Sequence, residues 1–284
     1  MKQVVQIRCK NNKKTQKVAN GSTLSDIFSS FNLKMEHGPV SAKVNNKVEG
    51  MHYRVYNNKD IEFLDMRTSS GSRAYTRTLF FVLCKAVQDL YPGHDVVIDI
   101  PVSNGFYVDV RLERDVTADD VDCIRKRMQE IVDARMPIRR YMVPTEDAIA
   151  LFEEKGDVEK VKLLRTSGSL YTAYYKIGEY VDFYYGTLLT NTSQLYLFGL
   201  EKYYDGMLLR IPSLKNPDEL GEVTRQDKMF EIFKEHHHWQ DIIGIRTVGD
   251  FNAAVDAGHA SDIINISEAL QEKKIAQIAE QIAA

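Results

Sequence analysis

An α+β architecture is predicted by three observations. Residues 1–66 alternate apolar and polar side chains in short runs around one helical stripe, in the order β-β-α-β-β. Residues 70–212 combine amphipathic helices with paired strands, and residues 213–284 turn to charged sequence that reads as a helical connector. At 284 residues, with 44% hydrophobic and 27% charged side chains, the chain has the composition of a folded protein rather than a disordered one.

In the first unit, VVQIRC and KTQKVA read as two strands across a polar Asn11-Asn12 turn. GSTLSDIFSSF supplies an N-cap at Ser22 or Thr23, followed by apolar Leu24, Ile27 and Phe28 on one helical face. Strands follow around VSAKVNN and HYRVY, and DIEFLD closes the unit. The Ser- and Gly-rich MRTSSGSR, residues 66–73, reads as a linker.

A helix over 72–91 carries Leu79, Val82, Leu83, Ala86 and Leu90 on its apolar side, and Tyr91-Pro92-Gly93 ends it. VVIDIPV and GFYVDVRLE form a strand pair. Thr117 and Asp120 make a T-x-x-D start to a helix at about 118–134, with Val121, Ile124, Met128, Ile131 and Val132 on one face. Thr145, after Pro144, opens another helix containing Ile149, Leu151 and Phe152. The terminal SEALQEKKIAQIAEQIAA reads as a helix capped by Ser267, with Leu270, Ile275, Ile278 and Ile282 on a stripe.

A formal net charge of -3 provides no global attraction to nucleic acid, which leaves only local basic patches such as KNNKK at 10–14. Solvent contact is the favoured role for that turn. Cys9, Cys84 and Cys123 are odd in number and far apart, as expected of reduced thiols in a cytoplasmic protein. No signal peptide or membrane span is recognisable, so no membrane partner is expected. Adjacent residues on a helix point about 100° apart, so His236, His237 and His238 cannot together chelate one ion and no metal site is expected. Trp239 is expected to anchor the connector.

The β-β-α-β-β order, with its VNN turn at 44–46 and its terminal IEFLD, resembles the ubiquitin-like β-grasp (TGS) domain at the front of threonyl-tRNA synthetases. SRAYTRTLFFVLCKAVQDLY at 72–91, PVSNGFYVD at 101–109 and the run through the capped helix resemble the editing domain that follows it in those enzymes. With YVDFYYG, this resemblance covers roughly half the chain. The family domain hydrolyses mischarged tRNA using a His-x-x-x-His pair on a helix and a later Cys-x-x-x-His. Here Arg77, Phe81, Tyr184 and Leu188 stand at those four positions, so the resemblance implies a retained fold and no catalytic residue.

The full order of units, with IGIRTVGDFN and SEALQEKKIAQIA, resembles the N-terminal half of bacterial uridine kinase-like nucleoside kinases. That resemblance implies a kinase domain beyond residue 284, with ATP and magnesium as its cofactors and as partner to this region. No glycine here precedes a lysine, so the G-x-x-x-x-G-K-[ST] phosphate loop is not in this stretch. Of the neighbouring polar residues, Asn104, Tyr107, Asp109 and Asp182 match the editing domain and can as readily hold turns and hydrogen bonds. Arg73 and Arg77 lie one turn apart on one helical face, and family geometry would bring Tyr184 and Tyr185 near them. Guanidinium forks with tyrosine rings suit a nucleotide-like or other anionic ligand. Ion pairing of the arginines at an interdomain surface is the plainer reading. A homo-oligomer, an RNA ligand, a hydrolase and a stand-alone RNA-binding module stay open.

Overall fold

The computed structural model describes residues 3–283. Contacts divide the chain into two units, residues up to 141 with 174–225, and 142–173 with residues from 226 onward.

The first unit begins with β1 (Val4–Cys9), β2 (Lys14–Ala19), β3 (Ser22–Thr23), α1 (Leu24–Ser30), β4 (Ser41–Val44), β5 (Lys47–Glu49), β6 (Arg54–Val55) and β7 (Lys59–Leu64). Five of these strands form a sheet in the order β2-β1-β7-β4-β5, with β1 parallel to β7. Alternation along β1 sends Ile7 and Cys9 inward, where they meet Leu24 and Ile27 of α1 and Ile61 and Phe63 of β7. Thr23 is the N-cap of α1, in a capping box with Asp26. HYRVY contributes only the two-residue β6, paired with β3, and the strand after β4 is instead β5, reached across an Asn45-Asn46 turn with φ of 48° and 73°. Asn11 does not merely face water. Its side chain accepts from the Phe63 N–H at 2.8 Å and donates to the Phe63 carbonyl at 3.0 Å, fastening the basic turn to β7.

Residues 66–73 are not a linker. Met66 is buried, Thr68 caps the helix α2 (Ser69–Leu90), and Gly71 packs so closely that a Cβ there would run into the Asp65 carbonyl oxygen. Leu79, Val82, Leu83 and Ala86 enter the core, whereas Leu90 is 39% exposed. The chain continues through β8 (Val96–Val102), β9 (Gly105–Val110), α3 (Ala118–Asp133) and β10 (Arg139–Pro144). After α4 (Thr145–Glu154) and α5 (Val158–Arg165), which belong to the second unit, come β11 (Tyr171–Ile177), β12 (Tyr180–Phe183), β13 (Gly199–Tyr203) and β14 (Gly206–Arg210). These strands make a four-stranded sheet, β13-β14-β9-β8, and a three-stranded sheet, β10-β11-β12. The five apolar residues expected on α3 are all buried, and its Thr117–Asp120 capping box is formed.

From 213 to 225 the chain is irregular rather than helical, turning back so that the Ser213 N–H donates to the Glu219 carbonyl at 2.9 Å. Tyr196 donates its hydroxyl to the Pro217 carbonyl at 2.9 Å, Arg210 donates to Gly221 at 2.7 Å, and Tyr203 donates to Thr224 at 3.2 Å. These bonds hold the stretch along β13 and β14.

The second unit consists of α4 and α5 with α6 (Asp227–Ile243), α7 (Val248–Asp256) and α8 (Ala260–Ala283). Lys162 of α5 pairs with Asp250 of α7, and Thr247 caps α7 in a box with Asp250. Lys274 of α8 pairs with Glu235 of α6 at 2.7 Å. Ser267 is not a cap. It lies inside α8 and donates to the Ile263 carbonyl at 2.7 Å. Trp239, on α6, lies beside the His236 ring with centroids 6.3 Å apart. Cys9, Cys84 and Cys123 form no disulfide. Among the described residues no helix is long and apolar enough to cross a membrane.

Candidate functional site

The positions that carry the reactive groups in the resembling domain lie along the middle of α2 and the chain after β12. Phe81 is fully buried, with its ring 5.7 Å edge-to-face from Tyr184 and 5.3 Å from Tyr180. Leu188 is likewise fully buried. Thr78 fastens the loop to the helix, because its hydroxyl accepts from the Leu189 N–H at 2.9 Å while donating to the Ala74 carbonyl at 2.8 Å. Three of the four positions are thus packed by rings and a leucine, in contact with the core beneath.

Asp182, on β12, is the carboxylate within this group and is 5% exposed. It accepts from the Phe183 N–H at 2.6 Å and from the Tyr180 hydroxyl at 3.2 Å, and it also bonds the Tyr184 hydroxyl. Burial, then the Asp182 charge, drives the Tyr184 phenol well above its ordinary value, so it stays protonated and serves as a donor. Protein donors therefore engage the oxygens that would orient a ligand amine or activate a water.

Arg77 occupies the fourth position and points elsewhere. Its guanidinium lies against Gly186, where an added Cβ would sit 2.7 Å from Cζ, and Gly186 has φ of +124°, so this turn is built for glycine. The Gly186 carbonyl accepts from the Tyr175 hydroxyl at 2.8 Å. Arg73, one turn earlier on α2, is exposed and donates from Nε to the Ser69 carbonyl at 3.1 Å. Burial first, and the Arg73 charge second, lower the Arg77 pKa. Tyr175 is almost fully buried, its ring edge-to-face with His52 at 6.4 Å, and Arg140 hydrogen-bonds its hydroxyl. Burial, reinforced by Arg140, pushes the His52 imidazole down to about 4.

The remaining residues expected at the site lie apart or at its edge. Val108 and Val110 of β9 face the core, and Phe106 meets Phe80 of α2 at 4.9 Å, so the alternating Tyr107 and Asp109 face the other side of the sheet. Tyr107 donates to Asp205 at 2.6 Å. Asn104 sits in the β8–β9 turn with φ of +57°. Tyr185 is 67% exposed, beside Gly186 in the chain, and packs on Phe183 at 4.7 Å. The structure thus brings Arg77 to the Gly186 turn, with Arg73 one helical turn before it, and leaves Tyr107 and Asp109 on the other side of their sheet. Tyr175, Arg140, His52 and Gly186 were not singled out by sequence reasoning. Only the alternation of YTAYYKI signals that Tyr175 points inward.

The chain is 31% identical over 227 residues to a threonine–tRNA ligase of Syntrophotalea carbinolica, covering 76% of this chain and 36% of the relative. It is 28% identical over 181 residues to the threonine–tRNA ligases of Marinobacter nauticus and Acetivibrio thermocellus, in each case 63% of this chain and 28% of the relative. This chain is similar to threonyl-tRNA synthetases. It spans about a third of the length of these curated relatives, 28% to 36%. The α+β arrangement, a β-grasp followed by an editing-like domain, fits that similarity. No family model matches the chain.

Proposed function

We propose that this chain is a non-catalytic, ligand-binding or regulatory region built on a synthetase-like editing fold. The observation that carries the reading is the filling of the reaction positions: Phe81 and Leu188 are fully buried, Tyr184 packs on Phe81, and Arg77 carries a guanidinium that cannot act as a base at neutral pH. Asp182 has its oxygens engaged by Tyr180, Tyr184 and its own chain, which opposes use as a general base. The test is incubation with a mischarged aminoacyl-tRNA. The expected result is release of the amino acid at the rate of buffer alone; protein-dependent release would support the alternative, an editing-type hydrolase.

The finer form of the reading is that this region precedes the kinase domain of a uridine kinase-like nucleoside kinase. In that form the full protein transfers the γ-phosphate of ATP to a nucleoside hydroxyl with magnesium, this region regulates its own downstream kinase domain, and the protein is cytoplasmic. The order of units and the sequences IGIRTVGDFN and SEALQEKKIAQIA support it. Extending the gene sequence past the codon for residue 284 and assaying the full product with uridine and ATP–magnesium tests it. A phosphate loop and nucleoside phosphorylation are expected; a stop codon immediately after that position, or a different domain, would refute it. The synthetase similarity favours a second reading, an RNA-binding module, for which a salt-dependent gel shift with tRNA is the minimum requirement.

A further inference from the structure

Several arginines in the first unit are matched to carboxylates. Arg67 holds Asp65, Arg114 holds Asp120 and Arg127 holds Asp89, with separations of 2.6–3.0 Å. Arg77 differs from these in being half-buried, its guanidinium against Gly186, and among the described residues no carboxylate pairs with it. The charge that reaches it most strongly is another cation, Arg73, one turn away on the same face of α2. Across Tyr175, whose hydroxyl bridges to the Gly186 carbonyl, lies Arg140. Arg140 also faces His52, which packs on the Tyr175 ring.

Arg77 at the Gly186 turn and Arg140 at the Tyr175 hydroxyl thus flank one buried tyrosine, with Arg73 one turn from Arg77, and among the described residues none of the three forms an ion pair with a carboxylate. A partly desolvated, unpaired charge is unfavourable, and the fold could remove it by any uncharged residue at position 77. Gly186 does the reverse: its missing side chain opens the space that Arg77 fills. One fork-shaped pair satisfies a carboxylate, whereas several converging forks suit the larger number of acceptors on a phosphoryl group.

We propose that Arg73, Arg77 and Arg140, arranged around Tyr175 and Gly186, bind the phosphoryl group of a small phosphorylated ligand. The proposal rests on the ligand-binding reading above and specifies its ligand class. Exposed Tyr185, next to Gly186, offers a ring on which a nucleobase stacks, so a nucleotide is expected to bind more tightly than inorganic polyphosphate.

The test is isothermal titration of the whole chain with tripolyphosphate and with UTP, both without magnesium. One saturable site that weakens as salt rises is expected. Arg77→Gln and Arg140→Gln are each expected to weaken it about tenfold or more, while Arg127→Gln, a paired arginine elsewhere, leaves it unchanged. The Arg77→Gln protein should melt no lower than the parent, because it loses an unpaired charge rather than a structural contact. Tripolyphosphate binding as tightly as UTP supports the phosphoryl site without base recognition. Absence of saturable binding by both probes, or equal affinity in the variants and the parent, overturns the proposal. The deacylation result is independent: hydrolysis of mischarged tRNA would remove the non-catalytic reading and leave this titration to be judged by itself.

Discussion

Asp120 collects more donors than any other carboxylate described here. Arg114 donates to both its oxygens at 2.6 and 2.8 Å, the Tyr91 hydroxyl donates at 2.7 Å, and Thr117 donates from its backbone at 2.8 Å and its hydroxyl at 2.7 Å. Arg114 leads in holding the carboxyl far below the usual carboxylate range. Its folded pKa is depressed, so its contribution to stability is fully present above the unfolded value and is lost as pH falls below about 4. Asp120→Asn is expected to cost about 2 kcal/mol at neutral pH, measured from denaturant midpoints, and to flatten the acid limb of the stability curve. His52 acts in the same direction for a different reason. It is kept neutral in the fold to about pH 4, so the unfolded chain binds the extra proton and stability falls from pH 6.5 toward that value. His52→Gln should remove that slope, read from thermal midpoints across the same range. The Asp120 cap was legible as a T-x-x-D pattern. The environment of His52 was not, because no local pattern brings β11, Arg140 and the β-grasp unit together.

Elements were most legible where periodicity and caps agree. α3 has both, and its buried face and capping box are those the pattern predicts. The start of α2 shows the opposite: a Ser- and Gly-rich run reads as flexible by composition, yet Thr68 caps a helix there and Gly71 is chosen for closeness to the Asp65 carbonyl. Gly71→Ala is therefore expected to lower stability by about 2 kcal/mol or more, because the obstructing atom is backbone; a change within about 0.5 kcal/mol in chemical denaturation would contradict the packing described. The charged stretch at 213–225 was read as helical connector because charge and scattered apolar residues mimic an exposed helix. Its backbone groups are instead taken by Tyr196, Tyr203 and Arg210, partners distant enough in sequence to be invisible locally. Ser267 misled similarly: serine before an acidic residue resembles a cap, but the helix had already begun at Ala260.

At the scale of the molecule, the synthetase-like arrangement is present, and on the proposed reading the positions that would do chemistry are part of the packing. The resemblance pointed to the four positions and to the residue types that stand there. It could not show that Phe81, Tyr184 and Leu188 close on one another, nor that Arg77 turns toward Gly186, since both depend on how the loop after β12 lies on α2. The most direct measurement of this central claim is the unfolding free energy of Phe81→Ala. If the ring fills the former reaction site, removing it leaves a cavity and costs about 3–5 kcal/mol. A loss within about 0.5 kcal/mol would mean that the ring borders open space, and the site would have to be regarded as an accessible pocket after all.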